Sequence, residues 1–249
     1  MDYEDYDYPG TDYTLKKILE KDITKQIKKF VLSFWKDKKR FPAPQPVSIE
    51  RKDFETLKNN NYAVCAKLDG NRFLLACTTI NFSENIYNVC CLIDRNFNIF
   101  LVEQKLQGDW IYDYGSLFDG ELCPNKYVIH DAISIGGFNM MKKTFNERWS
   151  EVNNLLTYCY TPNNHPFDIY LKTFYNLKQI EGLFSYINKC EIPNDGLVFY
   201  PIEEEVGTGT QYSLFKWKPE GHHTIDFLVK VSKNKKENVL YCWSRGKNK

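Results

Sequence analysis

The run Lys67-Leu68-Asp69-Gly70-Asn71-Arg72 sets a primary amine beside an Asp-Gly pair, with a guanidinium just beyond it. Two further Asp-Gly pairs follow, in Asp119-Gly120-Glu121 and Asp195-Gly196, and a late basic cluster reads Lys216-Trp217-Lys218. A lysine, carboxylates on tight turns and a cluster of cations are what a covalent lysyl-nucleotide intermediate requires. A lysine attacks only when neutral, and its ordinary pKa of ~10.4 keeps it protonated at neutral pH. Arg72, Lys216 and Lys218 could supply a positive field that disfavours the ammonium, provided the late strand packs beside the first turn.

These residues must be positioned by strands. Tyr62 to Ala66 and Phe73 to Ile80 are β-rich runs on either side of Asp69-Gly70-Asn71, which predicts a hairpin. Further strand patterns at 88–93, 98–103 and 127–133 predict a largely antiparallel sheet, followed by helical periodicity over 142–158. A strand over 167–174, a helix over 177–188 and closing strands at 196–200, 213–217 and 224–231 complete the pattern. Upstream, Leu15, Ile18, Leu19, Ile23, Ile27, Phe30, Val31 and Phe34 recur at helical spacing and predict one amphipathic helix from Leu15 to Trp35. The acidic, tyrosine-rich residues 1–13 read as a flexible lead, and the prolines of Phe41-Pro42-Ala43-Pro44-Gln45-Pro46 as an extended connector.

The chain of 249 residues is 43% apolar and 16% aromatic, with 17 Tyr and 17 Phe, which excludes a disordered chain and predicts an aromatic-rich core. A net charge of +1 leaves no whole-molecule attraction to nucleic acid, so any polyanion site must be local. The 8 cysteines lack CxxC spacing and paired histidines, which points to buried thiols in a reducing, intracellular compartment, nucleus or cytoplasm. No apolar run approaches the ~20 residues of a membrane span, so no membrane association is expected.

Taken in order, the lysine run, Asp119-Gly120-Glu121, Asp195-Gly196-Leu197-Val198-Phe199 and Phe215-Lys216-Trp217-Lys218-Pro219 resemble the motif series of the covalent nucleotidyltransferases, which comprise mRNA capping guanylyltransferases and the DNA and RNA ligases. Phe41 to Ser48 is similar to a segment that precedes the nucleophile in capping enzymes of eukaryotes and large DNA viruses. Phe215-Lys216-Trp217-Lys218-Pro219 followed by Thr224-Ile225-Asp226-Phe227 resembles their late lysine motif. The resemblance spans roughly residues 41 to 229. It implies an α+β fold: an antiparallel-sheet nucleotidyltransferase domain over 14–223, flanked by helices, with 224–249 as the start of a truncated OB-fold lid.

The same resemblance implies that Lys67 attacks the α-phosphate of GTP and holds GMP as a phosphoramidate. Arg72 and Glu121 match positions at the ribose, Lys216 and Lys218 match phosphate-binding lysines, and Asp195 falls at the acidic metal-phosphate position. Lys172 resembles a lysine that reads the guanine carbonyl, and Asp226 is a second metal or phosphate candidate. His130, in Tyr127-Val128-Ile129-His130-Asp131, stands where the family places a Phe or Tyr that stacks on the base. The expected cofactor is Mg²⁺ or Mn²⁺, and the acceptor a 5′-diphosphate RNA end. RNA triphosphatase and cap methyltransferase domains or subunits are the expected partners. The rivals are an ATP-dependent ligase-type nucleotidyltransferase and a non-catalytic RNA-binding or docking module of a capping complex.

Overall fold

The structure, a computed structural model, describes residues 1–9, 12–35, 41–103, 105–162, 166–187, 189, 192–222, 227–231 and 238–242. Asp226, with 223–225, the residues 10–11 of the expected lead and Asn188 of the expected late helix lie outside the described residues. The chain divides into two compact units, Met1–Trp217 and Lys218–Lys249.

Along the first unit run strands β1 (Tyr3–Asp7) and β2 (Thr14–Ile18), helix α1 (Lys21–Leu32), β3 (Pro44–Ser48), α2 (Phe54–Asn59), β4 (Tyr62–Leu68), β5 (Asn71–Phe82), β6 (Asn85–Ile93) and β7 (Ile99–Val102). They are followed by α3 (Trp110–Asp113), β8 (Ser116–Cys123), β9 (Lys126–Ile135), β10 (Phe138–Asn139), α4 (Phe145–Cys159), β11 (Asp168–Leu171), β12 (Tyr175–Asn176), α5 (Ile180–Ile187), β13 (Asn194–Pro201) and β14 (Gly209–Trp217). The second unit holds a separate antiparallel hairpin, β15 (Phe227–Val231) with β16 (Asn238–Cys242).

Two sheets form the first unit. One has the order β1-β2-β7-β6-β5-β8-β9-β10 with β11 beside β9; the other has the order β12-β4-β13-β14-β3. Pairing is antiparallel except for β11 on β9 and β14 on β3. The larger sheet is covered on both faces. Phe73, Leu75, Phe118, Tyr127 and Ile129 pack with Val152 and Leu155 of α4, while Leu74, Ala76 and Ile133 pack against Ile23, Ile27 and Val31 of α1. Each such aliphatic side chain contributes ~1.5–3 kcal/mol on burial. The smaller sheet packs Tyr62, Val64, Leu197, Phe199 and Phe215 against Leu57 and Leu183. Burial on both faces is why β4 and β5 read as near-continuous apolar runs.

Three expectations are corrected. The described residues of the expected lead, 1–9 and 12–13, are not loose: Glu4 and Asp5 of β1 pair opposite Lys17 and Lys16 of β2, and Tyr6, Tyr8 and Tyr13 pack on the core. Complementary charge across the pair offsets the acidity that made the segment look disordered. The predicted helix begins at Lys21 and not at Leu15, because Leu15 and Ile18 are drawn into the edge of the larger sheet. Asp69-Gly70 does not close a hairpin. β4 and β5 lie in different sheets, and the turn between them is the corner where the chain passes from one sheet to the other.

Cys65, Cys77, Cys90, Cys91 and Cys123 are buried free thiols. Among the described residues no helix is long and apolar enough to cross a membrane.

Candidate active site

The corner after Lys67 gives its backbone donors to two different elements. Asp69 N donates to the Pro193 carbonyl ahead of β13, at 2.8 Å, and Gly70 N donates to Oε1 of Glu121 on β8, at 3.3 Å. Gly70 sits so close to β8 that a Cβ there would lie 2.7 Å from the Leu122 carbonyl oxygen and 2.8 Å from Cγ of Glu121. The Asp-Gly pair is therefore fixed by close approach between the sheets, and the same contact brings Glu121 to the turn that follows Lys67.

Asp119-Gly120 and Asp195-Gly196, expected as turns, lie within strands β8 and β13. At Asp195 the reason is a bulge. Asn194 pairs with Leu68 and Leu197 with Ala66, so Asp195 and Gly196 together oppose the single residue Lys67. Gly196 has φ +146°, a conformation that favours glycine. Bulges re-aim side chains, and here the result is an ion pair: Nζ of Lys67 lies 2.6 Å from Oδ1 of Asp195, both side chains mostly shielded.

Across the smaller sheet, Cys65 pairs with Val198 and Val198 with Lys216. Directly paired residues share a face and strand residues alternate, so Lys216 lies on the same face as Lys67, two strands away. Lys218 belongs to the second unit.

On the larger sheet Arg72 pairs with Glu121, and Glu121 with Val128. Arg72 is clamped: Nε and Nη2 donate to the two oxygens of Asp119 at 2.9 and 2.5 Å, and Nη1 donates to the Pro44 carbonyl at 2.8 Å. Burial opposes the charge on Arg72, but Asp119 outweighs it and holds the guanidinium pKa above its ordinary value. Arg72 therefore does not supply the expected free positive charge, because Asp119 pairs with it. Sequence reading had not singled out Asp119 as a partner, although it precedes the glycine of a noted pair.

Lys172 follows β11, 5% exposed, and among the described residues its ammonium has no hydrogen-bond partner. It lines a cavity of about 280 Å³ together with Ala66 and Leu68, which flank Lys67, and with Val128, Tyr170 and Tyr186. Its charge reaches Glu121 and His130. Burial alone would raise the Glu121 carboxyl, yet the facing His130 and the Lys172 and Lys67 charges hold it below its ordinary value. Burial and Lys172 lower the His130 imidazole, against the pull of Glu121, which leaves the ring neutral at neutral pH. Arg148 of α4 was not legible as a site residue, since a helical arginine usually marks a solvated face. It is 3% exposed and donates to both oxygens of Asp131, at 2.6 and 2.8 Å, beside His130.

The geometry therefore gathers Lys67, Asp195, Glu121, His130 and Lys172 where two sheets meet, with Lys216 on the shared face. The family model for the mRNA capping enzyme, catalytic domain, matches residues 14–220. This chain belongs to that family. The mRNA-capping enzyme subunit alpha of Schizosaccharomyces pombe is 32% identical over 224 residues, covering 77% of this chain and 54% of that protein. The mRNA-capping enzyme of Caenorhabditis elegans is 28% identical over 233 residues, covering 83% and 36%. The capping-family chain thus spans about half, or less, of the curated relatives it matches. A solved structure described as part of a structure-function analysis of Lig E DNA ligases aligns over 72% of this chain and 69% of its own at 15% identity, with a TM-score of 0.43.

Proposed function

We propose that this domain is an mRNA 5′-capping guanylyltransferase. It forms a covalent lysyl-GMP intermediate from GTP and transfers GMP to a 5′-diphosphate RNA end. The observation that carries the reading is the β13 bulge that sets Asp195 2.6 Å from Lys67, the lysine of the family's first motif, in a chain matched to the capping catalytic domain.

Lys67 begins as an ammonium, and the Asp195 carboxylate stands where it can take the proton that attack requires. The freed Nζ lone pair forms the bond to the α-phosphorus. The bond from that phosphorus to the bridging oxygen breaks, and pyrophosphate leaves with the electron pair. In the second half, an oxygen of the RNA 5′-diphosphate attacks the same phosphorus, the P–N bond breaks and Lys67 regains its proton. Lys172, a buried cation with no hydrogen-bond partner among the described residues, donates to the guanine carbonyl oxygen, with His130 at the base. Glu121 accepts from ribose hydroxyls, while Arg72 keeps uncommitted N–H groups beyond the three held by Asp119 and Pro44. Lys216 pairs with the phosphates.

Among the described residues no three His, Cys, Asp or Glu side chains cluster. A single carboxylate beside the nucleophile fits a hard divalent ion that arrives on phosphates and keeps most of its waters. Asp195 would hold Mg²⁺ or Mn²⁺ there, and the ion would supply charge stabilisation on the displaced phosphates. Asp226 is the second candidate ligand. The β15–β16 hairpin supports reading 224–249 as the opening of an OB-type lid. A 5′-diphosphate end has to be made from a triphosphate, so an RNA triphosphatase supplies the acceptor, and a cap methyltransferase consumes the product.

The test is incubation with α-labelled GTP or ATP and a divalent ion. Covalent labelling with GTP and not ATP is expected. Labelling with ATP alone assigns the chain to ligase chemistry, and labelling with neither, alongside retained RNA binding, assigns it a docking role.

A further inference from the structure

His130 replaces the aromatic ring that the family resemblance places at the base, and the structure gives its edge a use that a phenyl ring lacks. In the pairing of β8 with β9, Asp119 lies opposite Asp131 and Gly120 opposite Ile129, so His130 is the extra residue of a bulge. Arg148 fixes that bulge: it grips both Asp131 oxygens and also donates to the carbonyls of Lys143 and Glu204. The ring is thereby held with Nε2 3.4 Å from Oε2 of Glu121, and Nε2 is buried without a hydrogen-bond partner. The other Glu121 oxygen already accepts from Gly70 N. A buried ring nitrogen without a partner is unfavourable, and a small reorientation of either side chain would align the contact as a hydrogen bond.

We propose that His130 is a positioning residue whose imidazole edge aims the Glu121 carboxylate at the nucleotide ribose, with Glu121 bridging His130 to the turn that follows Lys67. The inference rests on the guanylyltransferase reading, since it takes the ribose as Glu121's ligand. The neutral ring needed for this is favoured by burial and by the nearby Lys172 charge. A neutral imidazole with its proton on Nε2 donates to Glu121, and the carboxylate keeps lone pairs for ribose hydroxyls.

The test separates edge from face. His130→Phe keeps an aromatic face and removes the donor, whereas His130→Gln keeps an N–H at the reach of Nε2 and removes the face. Calorimetry would measure the affinities of both variants and the wild type for GTP and for 2′,3′-dideoxyGTP, with Mg²⁺. The wild type should prefer GTP, His130→Phe should shrink that preference about tenfold, and His130→Gln should retain it to within about twofold. An unchanged preference in His130→Phe overturns the inference, as does an equal loss of affinity for both nucleotides in His130→Gln. If the wild type binds no GTP, the guanylyltransferase reading itself fails. Nitrogen-15 histidine spectra of the wild type give a readout that needs no variant to fold: with GTP bound, Nε2 should carry a slowly exchanging proton, and an unprotonated Nε2 overturns the inference.

Discussion

At the scale of single residues, the Lys67–Asp195 pair is the device that needs explaining, because an ion pair stabilises the form of lysine that cannot attack. Asp195 as the proton acceptor accounts for the pair, and its effect on rate is distinct from its effect on stability. Both side chains are mostly shielded, 24% and 17% exposed, so removing one partner should cost about 1–3 kcal/mol of unfolding free energy. Asp195→Asn should nevertheless slow single-turnover labelling by ~100-fold or more, the scale of a lost general base. Labelling at the wild-type rate would remove Asp195 from the proton path. Lys172→Ala should erode the preference for GTP over ATP, since removing the donor to the base edge removes discrimination; competition labelling checks this, and unchanged selectivity would take Lys172 out of the base site.

His130 and Glu121 also set a pH dependence. The folded imidazole sits below its ordinary 6.5 through burial first and Lys172 second. Below pH 6.5 the unfolded chain therefore binds the proton more readily. His130 costs nothing above that pH and destabilises the fold as pH falls from 6.5 toward its folded value. Glu121, held below its ordinary 4.5, adds stability that is present above pH 4.5 and lost as pH falls through its folded value. Melting curves from pH 8 to 5 should show the wild type losing up to ~1.4 kcal/mol per pH unit more than His130→Gln in the acidic part of the range. Parallel curves would contradict a neutral buried His130.

At the scale of elements, the bulge opposite Lys67 is what turns a strand into a site. Ala at 196 meets a φ of +146°, so Gly196→Ala should cost about 1–3 kcal/mol and lower labelling by moving Asp195. Measured stability with intact labelling would show that the bulge is not what aims the carboxylate. This is also where sequence reading ran short. The apolar runs of β4, β5, β8 and β9 located the strands, but an Asp-Gly pair has the same local chemistry in a hairpin, at a sheet-to-sheet corner and in a bulge. Only the partners of Gly70 and the register around Lys67 distinguish these cases. The strand β1 was illegible for a related reason, since its acidity is matched by lysines on β2. Order and company bring Lys67, Asp195, Glu121 and Lys172 forward as candidates, whereas Asp119 and Arg148 act through buried contacts that leave no local pattern.

At the scale of the molecule, Met1–Trp217 carries both of the larger sheets, the core clusters of the described residues and the candidate site around Lys67, while Lys218 belongs to the second unit. The first compact unit ends at Trp217, where β14 ends. A chain ending at Trp217 should therefore melt in one transition within about 4 °C of the full chain, the shift ~1 kcal/mol produces at this size. A much larger loss would mean that the second unit completes the core. The central claim, that Lys67 is the covalent nucleophile, is tested most directly by mapping the adduct. After reaction with α-labelled GTP and Mg²⁺, peptide mass spectrometry should find GMP on Lys67 alone, and Lys67→Arg should carry none, because a guanidinium stays protonated. GMP on any other lysine, or label retained in Lys67→Arg, would contradict the account.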